Sequence, residues 1–252
     1  MSVLVVQGLS KSFGGVKAVE DVSFAVAPGE MLALIGPNGA GKSTCFNMLG
    51  GQSAPDAGTV VLDGKPITGL GPRAIARRGV GRTFQITATF GSMTVRENVQ
   101  MALLFHRREI WQFWKPVAGR HADDADALLA QVGLEAQADR ATGVLAYGDL
   151  KRLELAIALG NDPRLLLMDE PTAGMAPVER VGLMQLTRKL AKERGVAVLF
   201  TEHDMDVVFD ASDRILVLNR GKLIAEGDGA SIRANPAVRE IYLGAGTTSG
   251  GH

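Results

Sequence analysis

Short, continuously apolar runs recur along the chain, and each ends in turn residues or a helical pattern. They lie at residues 31–35, 165–168, 196–200 and 215–218. Runs of this length without polar alternation are typical of strands buried on both faces of a parallel sheet. Because segments with helical spacing separate them, the pattern predicts an α/β fold in which helices cover both faces of a mostly parallel sheet.

The beginning of the chain has a different pattern. Residues 3–6 and 22–26 read as strands on either side of a turn at Gly14-Gly15. Residues 59–62 read as a further strand, which Asp63-Gly64 ends in a tight turn. These signals predict an antiparallel β subdomain beside the parallel sheet.

Residues 94–159 read as helical throughout. Thr94 and Glu97 have the spacing of a capping box, and apolar residues fall at helical spacing over 123–132 and 150–159. We therefore expect an all-helical subdomain inserted into the α/β core. The predicted division is a single domain over 1–243, with a core at 1–90 and 160–230, a helical subdomain at about 91–159, and a disordered Gly/Ser/Thr-rich tail at 244–252.

The segment from Gly36 to Ser43 fits the phosphate-cradle pattern G-x-x-x-x-G-K-[ST] at every fixed position. It joins the apolar run 31–35 to a helical pattern at 43–49, which is the strand–loop–helix arrangement that phosphate binding requires. Glycines let successive N–H groups point at phosphate oxygens, and the helix N-terminus adds its positive dipole end. Lys42 supplies a charge for the outer phosphates and Ser43 a hydroxyl for Mg²⁺. The segment predicts binding of a nucleoside triphosphate with Mg²⁺.

Acidic residues follow the run at 165–168. A strand that ends in Asp169 and Glu170 brings both carboxylates to the carboxyl edge of the sheet, where α/β folds bind ligands. Asp169 is placed to hold Mg²⁺, and Glu170 to orient or deprotonate an attacking water. His203 follows the next strand and is predicted to reach the γ-phosphate, while Gln85 is predicted to reach Mg²⁺ or that water. Together these residues predict hydrolysis.

Composition limits the remaining classes of function. The chain has 27 Lys and Arg against 27 Asp and Glu, so its zero net charge gives no support to a nucleic-acid binder. One cysteine, Cys45, excludes an intramolecular disulfide framework, and burial in the core is its expected role. No apolar run approaches the ~20 residues of a membrane span, and the N-terminus does not resemble a signal peptide. We expect a cytoplasmic protein whose contact with a membrane is made through a partner.

Over nearly its full length the chain resembles the nucleotide-binding subunits of ATP-binding-cassette (ABC) transporters. The motifs occur in the family's order: the phosphate loop, Gln85, the signature segment 145–152, Asp169-Glu170 and His203. The resemblance implies a P-loop NTPase fold with a RecA-like sheet, and ATP and Mg²⁺ as cofactors. It also implies the site residues: catalytic Glu170, His203 and Gln85; nucleotide-binding Phe13, Gly36, Asn38, Gly39, Gly41, Lys42, Ser43, Thr44, Ala146, Gly148 and Asp149; and metal-binding Ser43, Gln85 and Asp169.

The signature reads Leu145-Ala146-Tyr147-Gly148-Asp149, which is similar to that of the larger ATPase of branched-chain amino-acid importers. The resemblance implies a second ABC ATPase subunit, identical or related, whose ATP this signature would contact. It further implies transmembrane permease subunits, an indirect link to a solute-binding protein, no nucleic acid, and a peripheral position on the cytoplasmic side of the membrane. Ala146 lacks a hydroxyl, and Asp149 places a negative charge near a polyphosphate unless Lys151 and Arg152 offset it. We therefore expect this signature to be the weaker half of an asymmetric pair.

Two alternatives stay open at this point. One is a soluble ABC ATPase that acts on nucleic acid or translation without a permease, and the other is an importer ATPase for another solute such as urea or an amide. Two surface patches also have two interpretations each. The cluster Phe105, Trp111, Phe113 and Trp114 is either local core or a groove for a permease helix, and Arg73, Arg77, Arg78 and Arg82 form either a solvated face or a partner contact.

Overall fold

The computed structural model describes residues 2–83, 89–107, 109 and 119–243. Its strands are β1 (Leu4–Phe13), β2 (Val16–Val26), β3 (Met31–Ile35), β4 (Ala57–Leu62), β5 (Lys65–Pro66), β6 (Val80–Thr83), β7 (Leu165–Asp169), β8 (Ala197–Thr201), β9 (Arg214–Asn219) and β10 (Lys222–Gly227). Its α-helices are α1 (Lys42–Leu49), α2 (Pro72–Ala76), α3 (Val95–His106), α4 (Ala122–Val132), α5 (Tyr147–Leu159), α6 (Pro177–Arg194), α7 (Met205–Ala211), α8 (Gly229–Ala234) and α9 (Pro236–Leu243).

The central sheet is mostly parallel, as predicted. Its order is β10-β9-β3-β8-β7-β6, and only the edge pair β9–β10 is antiparallel. Strand β3 is buried along its whole length. Alternate side chains enter two separate cores, with Met31 and Ala33 in one and Leu32 and Leu34 in the other. Burial on both faces explains why this strand reads as a continuous apolar run.

The predicted antiparallel subdomain is present as a second sheet with the order β2-β1-β4-β5. Its first two strands are longer than predicted, because pairing continues through half-exposed positions that carry no apolar signal. Three register shifts between β1 and β2 also interrupt the alternation there. The tight turn at Asp63-Gly64 joins β4 to β5, as predicted.

The predicted helical region forms α3, α4 and α5 among its described residues. The capping box is confirmed, since the Glu97 N–H donates to Thr94 Oγ1 at 3.1 Å and the Thr94 N–H donates to Glu97 Oε2 at 2.7 Å. One cluster of buried side chains runs from the sheet into these helices. The start of α5 was predicted wrongly: it begins at Tyr147 rather than Leu150, because the polar signature residues themselves form its first turn.

The predictions for the aromatic cluster and for the C-terminal tail concern residues outside the described part. Trp111, Phe113 and Trp114 lie in the undescribed stretch 110–118, and the tail at 244–252 is likewise outside. The proposed division into core and helical subdomain remains a prediction. None of the described helices is long and apolar enough to cross a membrane.

Candidate functional site

The segment between β3 and α1 forms a loop that closes on two neighbouring strands. At Gly36, a Cβ atom would lie 2.2 Å from the carbonyl oxygen of Leu218, and at Gly41 it would lie 2.3 Å from that of Ala18. Both glycines also have positive φ, of 154° and 107°. Only glycine fits both the space and the backbone at these positions, so the cradle shape is built into the chain.

Lys42 begins α1 and turns its side chain back across the loop. Its Nζ donates hydrogen bonds to the carbonyl oxygens of Gly36 at 2.6 Å and Pro37 at 3.1 Å. Burial lowers the pKa of Lys42, and the nearby carboxylates of Glu170 and Asp169 oppose that shift. The ammonium is thus held inside the loop, beside the acidic end of β7.

Asp169 and Glu170 end β7, where the sheet pairs Asp169 with Thr201 on β8. Glu170 has a φ of 50°, a left-handed conformation that costs a non-glycine residue about 1–3 kcal/mol. Its Oε1 lies 2.8 Å from His203 Nε2, so the predicted base and the predicted γ-phosphate contact form a pair. Strain concentrated at such a residue is typical of a functional site.

These groups surround one cavity of about 200 Å³. Its lining consists of Ala18, Asn38, Gly39, Ala40, Gly41, Lys42, Ser43, Thr44, Glu170 and His203. Residues more than a hundred positions apart in the sequence therefore meet around a single space beside a helix N-terminus. Backbone N–H groups, an ammonium and hydroxyls on one side, and a carboxylate–imidazole pair on the other, suit a polyphosphate that is to be hydrolysed.

The site also fits a magnesium ion bound together with the phosphates. Ser43 offers a hydroxyl in the cavity wall. The Asp169 carboxylate lies at the end of β7, close enough to raise the pKa of Lys42 against the effect of burial. Oxygen ligands of this kind, completed by phosphate and water, are what Mg²⁺ prefers. Gln85, the third predicted ligand, lies in the undescribed stretch 84–88.

The remaining predicted site residues lie away from this cavity. Phe13 ends β1 with 52% of its surface exposed, and Lys11 Nζ is 5.5 Å from its ring centroid. Ala146, Gly148 and Asp149 occupy the N-terminal end of α5 and are not among the cavity's lining residues. The chain therefore presents the phosphate loop and the signature as two separate surfaces.

The signature turn is fastened to the segment that follows Glu170. The Tyr147 hydroxyl donates to the carbonyl oxygen of Ala173 at 3.1 Å. Lys151 is buried, and its ammonium pairs with the carboxylate of Glu154 at 3.1 Å. Its charge is therefore directed to Glu154 and not to Asp149. Asp149 itself lies in the first turn of α5, where the helix dipole favours a negative charge.

Sequence reasoning missed Thr201, Glu202 and Thr172, which are buried around the acidic end of β7. Glu202 Oε1 accepts hydrogen bonds from the Thr172 N–H at 2.8 Å and from its hydroxyl at 2.6 Å. No local pattern marks these residues, because their role depends on the pairing of two strands that are distant in the sequence. Cys45 is buried as predicted, and burial raises the pKa of its thiol to about 12.

Comparison with known proteins agrees with this geometry. Residues 19–173 match the ABC transporter family, and residues 222–247 match the branched-chain amino acid ATP-binding cassette transporter family. The chain is 43% identical over 251 residues to the high-affinity branched-chain amino acid transport ATP-binding protein BraF of Pseudomonas aeruginosa, covering 96% of this chain and 98% of that one. It is 41% identical over 249 residues to LivG of Escherichia coli, a protein of the same description, with the same coverage.

Solved structures show the same fold. An ATP-binding cassette of an ABC transporter in its ADP conformation is 33% identical and superposes with a TM-score of 0.87, over 97% of this chain and 99% of that one. A nucleotide-free cassette, also 33% identical, gives a TM-score of 0.85 over 96% and 99%. The expected P-loop fold is therefore confirmed, and the chain belongs to the ABC transporter family as one of its ATP-hydrolysing, ATP-binding subunits.

Proposed function

We propose that this chain powers the import of branched-chain or related amino acids by hydrolysing ATP beneath partner membrane subunits. The observation that carries the proposal is the single cavity in which the phosphate loop meets Glu170 and His203. The solute class is supported by the relatives, which are described as branched-chain amino acid transport ATP-binding proteins and which this chain matches over nearly their full length.

The phosphate loop holds the nucleotide. Gly36, Asn38, Gly39, Gly41 and Thr44 present backbone groups to the phosphates, and the exposed ring of Phe13 stacks on the adenine. Lys42 exchanges its bonds to Gly36 and Pro37 for phosphate oxygens. That exchange keeps the ammonium partnered in both states, so an already positioned charge meets the phosphates.

Hydrolysis depends on the groups at the ends of β7 and β8. Ser43, Asp169 and Gln85 hold Mg²⁺, which neutralises developing charge on the phosphates when bound. Glu170 takes a proton from the attacking water, and His203 keeps the Glu170 carboxylate directed into the cavity through their 2.8 Å contact. His203 then contacts the γ-phosphate.

A second ABC ATPase subunit, identical or related, completes the site. Ala146, Gly148 and Asp149 lie away from the cavity of their own chain, as expected if they act on a partner's ATP. Closing two subunits over ATP and releasing them after hydrolysis converts the chemistry into motion. The phosphate loop is then one half of each composite site.

A permease segment docks in the cleft between α2 and α5. This cleft has a volume of about 240 Å³, and its wall includes Ile75, Val80, Ile157 and Ala158. Glu154 Oε1 and Asn161 Oδ1 are buried without a hydrogen-bond partner in the described part of the chain, and both residues line the cleft.

A second cavity adjoins this cleft. Phe105, which is 40% exposed, lines it together with Arg77 and Asn161. A helix that supplies apolar side chains and hydrogen-bond donors fits this surface. Docking of such a helix supports our proposal that the chain works as a peripheral subunit on the cytoplasmic side of the membrane.

The test is to isolate the tagged chain from detergent-solubilised membranes and identify its companions. We expect two membrane-spanning subunits and a second ABC ATPase, with ATPase activity that a solute-binding protein and leucine increase. Recovery with ribosomes or nucleic acid instead of membrane subunits would support a non-transport ATPase. A membrane complex stimulated only by urea or amides would redirect the solute assignment.

Substituting Asp149→Gln tests the asymmetry of the signature. Removing the carboxylate takes a negative charge from the end of α5 that faces the partner's polyphosphate, and we expect ATPase activity of the assembled dimer to rise several-fold. The isolated chain should lose about 0.3–1 kcal/mol of stability, because the charge no longer meets the helix dipole. Steady-state ATPase assays check the first effect and thermal unfolding the second. Unchanged or lower turnover contradicts a weakened signature.

A further inference from the structure

Thr201, the last residue of β8, lies behind the acidic end of β7. Its side chain is almost fully buried, with 1% of the residue exposed. The Thr201 hydroxyl donates to Asp169 Oδ1 at 2.7 Å and accepts from the Glu170 N–H at 3.1 Å. One hydroxyl thus bonds to both acidic residues of the candidate site.

We infer that Thr201 is a positioning residue that keeps Asp169 available to the metal and fixes the backbone of Glu170. This inference rests on the proposed function, since it assigns Asp169 to Mg²⁺. Thr201 does not line the cavity, and it acts through the carboxylate of Asp169 and the backbone of Glu170.

The need for such a residue follows from the charges around Asp169. Arg82 Nη2 lies 3.8 Å from Asp169 Oδ2, and both side chains are mostly buried. Arg82 is anchored by Gln52 Oε1 at 2.7 Å and Asn47 Oδ1 at 3.2 Å, which hold the guanidinium in place. With Oδ1 bonded to Thr201, the carboxylate is kept from turning fully towards this guanidinium. A full ion pair there would compete with Mg²⁺ for the same charge.

Thr201 also stabilises the left-handed backbone of Glu170. The Glu170 N–H is shared between the hydroxyl of Thr201 and its carbonyl oxygen, the latter at 3.2 Å. Removing the hydroxyl leaves the carbonyl contact and the pairing of β7 with β8 intact. The Glu202–Thr172 bonds fasten the same segment two residues further on. Loss of the hydroxyl should therefore be a local change in a protein that still folds.

The experiment measures the affinity of the purified chain for a non-hydrolysable ATP analogue, once with Mg²⁺ and once with EDTA. The dissociation constant in EDTA divided by the dissociation constant with Mg²⁺ gives a ratio that reports how strongly the metal improves binding. In Thr201→Val, which keeps the shape and removes the hydroxyl, we expect this ratio to fall about tenfold, since a hydrogen bond to a charged group is lost. The affinity in EDTA should stay within about twofold of wild type.

Three further variants separate positioning from packing. Thr201→Ser keeps the hydroxyl and should keep the ratio. Thr187→Val is the matched control, because Thr187 is equally buried and, among the residues that the structure describes, its hydroxyl bonds only to the carbonyl oxygen of Leu183, at 2.8 Å. Should the valine variant not fold, Thr201→Ala takes its place.

An unchanged ratio in a folded Thr201→Val protein overturns the inference. Equal losses of affinity with Mg²⁺ and with EDTA also overturn it, since they indicate a general structural role. If wild type itself binds the analogue equally well with and without Mg²⁺, the magnesium assignment within the proposed function fails, and it does so independently of Thr201.

Discussion

Glu170→Gln is expected to bind ATP normally and to hydrolyse it about a thousandfold more slowly than wild type, within the range that general-base catalysis contributes. The amide keeps the size of the side chain but accepts no proton from water. Its contact with His203, at 2.8 Å in the wild type, is retained in a neutral form. Because nucleotide is bound but not cleaved, the two subunits should stay closed. Steady-state ATPase assays and size-exclusion chromatography with ATP measure the two effects.

Glu193→Gln is a suitable control for that experiment, because its carboxylate is exposed. Within the described ranges of the chain it makes only a distant ion pair, with Lys189 at 3.9 Å. Exposed ion pairs of this kind contribute little to stability, so the turnover of Glu193→Gln should match that of wild type. Near-normal turnover in Glu170→Gln would remove Glu170 from the role of base. Loss of ATP binding in that variant would instead indicate that its effect is structural.

Lys42→Ala is expected to weaken ATP binding by about a hundredfold or more, since charge-assisted hydrogen bonds to the phosphates are lost. In the free protein the same ammonium bonds to Gly36 and Pro37, so the loop also loses an internal contact. The change in stability should nevertheless be small, because the glycine backbone sets the loop shape. Titration with a fluorescent ATP analogue measures affinity, and thermal unfolding without nucleotide measures stability.

Lys192→Ala, at an exposed position on α6, removes the same charge away from the cavity and should leave affinity unchanged. If Lys42→Ala binds ATP like wild type, the phosphate loop is not the nucleotide site. If the variant unfolds, the carbonyl contacts of Lys42 matter more to the fold than the geometry indicates.

The central fold was predictable because its strands are buried on both faces. Met31–Ile35 and residues 165–168 place alternate side chains in opposite cores, so each of these positions is apolar and the signal is strong. The edge strands β6 and β10 were not predicted. Gly81 and Arg82 interrupt the apolar signal of β6, and β10 consists of half-exposed and exposed positions. The start of α5 was missed for a related reason: Tyr147, Gly148 and Asp149 form its first turn without any apolar periodicity.

The site was predictable where a motif is local and was missed where it depends on strand pairing. The spacing of Gly36, Gly41, Lys42 and Ser43 predicts a backbone geometry directly. In the structure Gly36 and Gly41 begin and end one loop, and Lys42 and Ser43 begin the helix that follows it. Thr201 gains its position only because β8 pairs with β7, which no single segment of sequence reveals. The same applies to Arg82, which appeared in the sequence as one member of a basic cluster but reaches Asp169 across the sheet edge.

The basic cluster and the aromatic cluster therefore divide into parts with different roles. Arg73, Arg77 and Arg78 are exposed, whereas Arg82 is mostly buried beside Asp169. Phe105 is partly exposed beside the cleft, which favours the groove interpretation for this residue. The interpretation of the two tryptophans stays a prediction.

ATP-driven uptake of leucine into proteoliposomes tests the central claim most directly. The vesicles contain this chain with its companion ATPase and membrane subunits, with ATP enclosed and the solute-binding protein outside. We predict that labelled leucine accumulates only with enclosed ATP, and that Glu170→Gln in this chain abolishes or strongly reduces the accumulation. A complex that assembles and hydrolyses ATP but accumulates no leucine, isoleucine or valine, while it concentrates another solute, would contradict the assigned function.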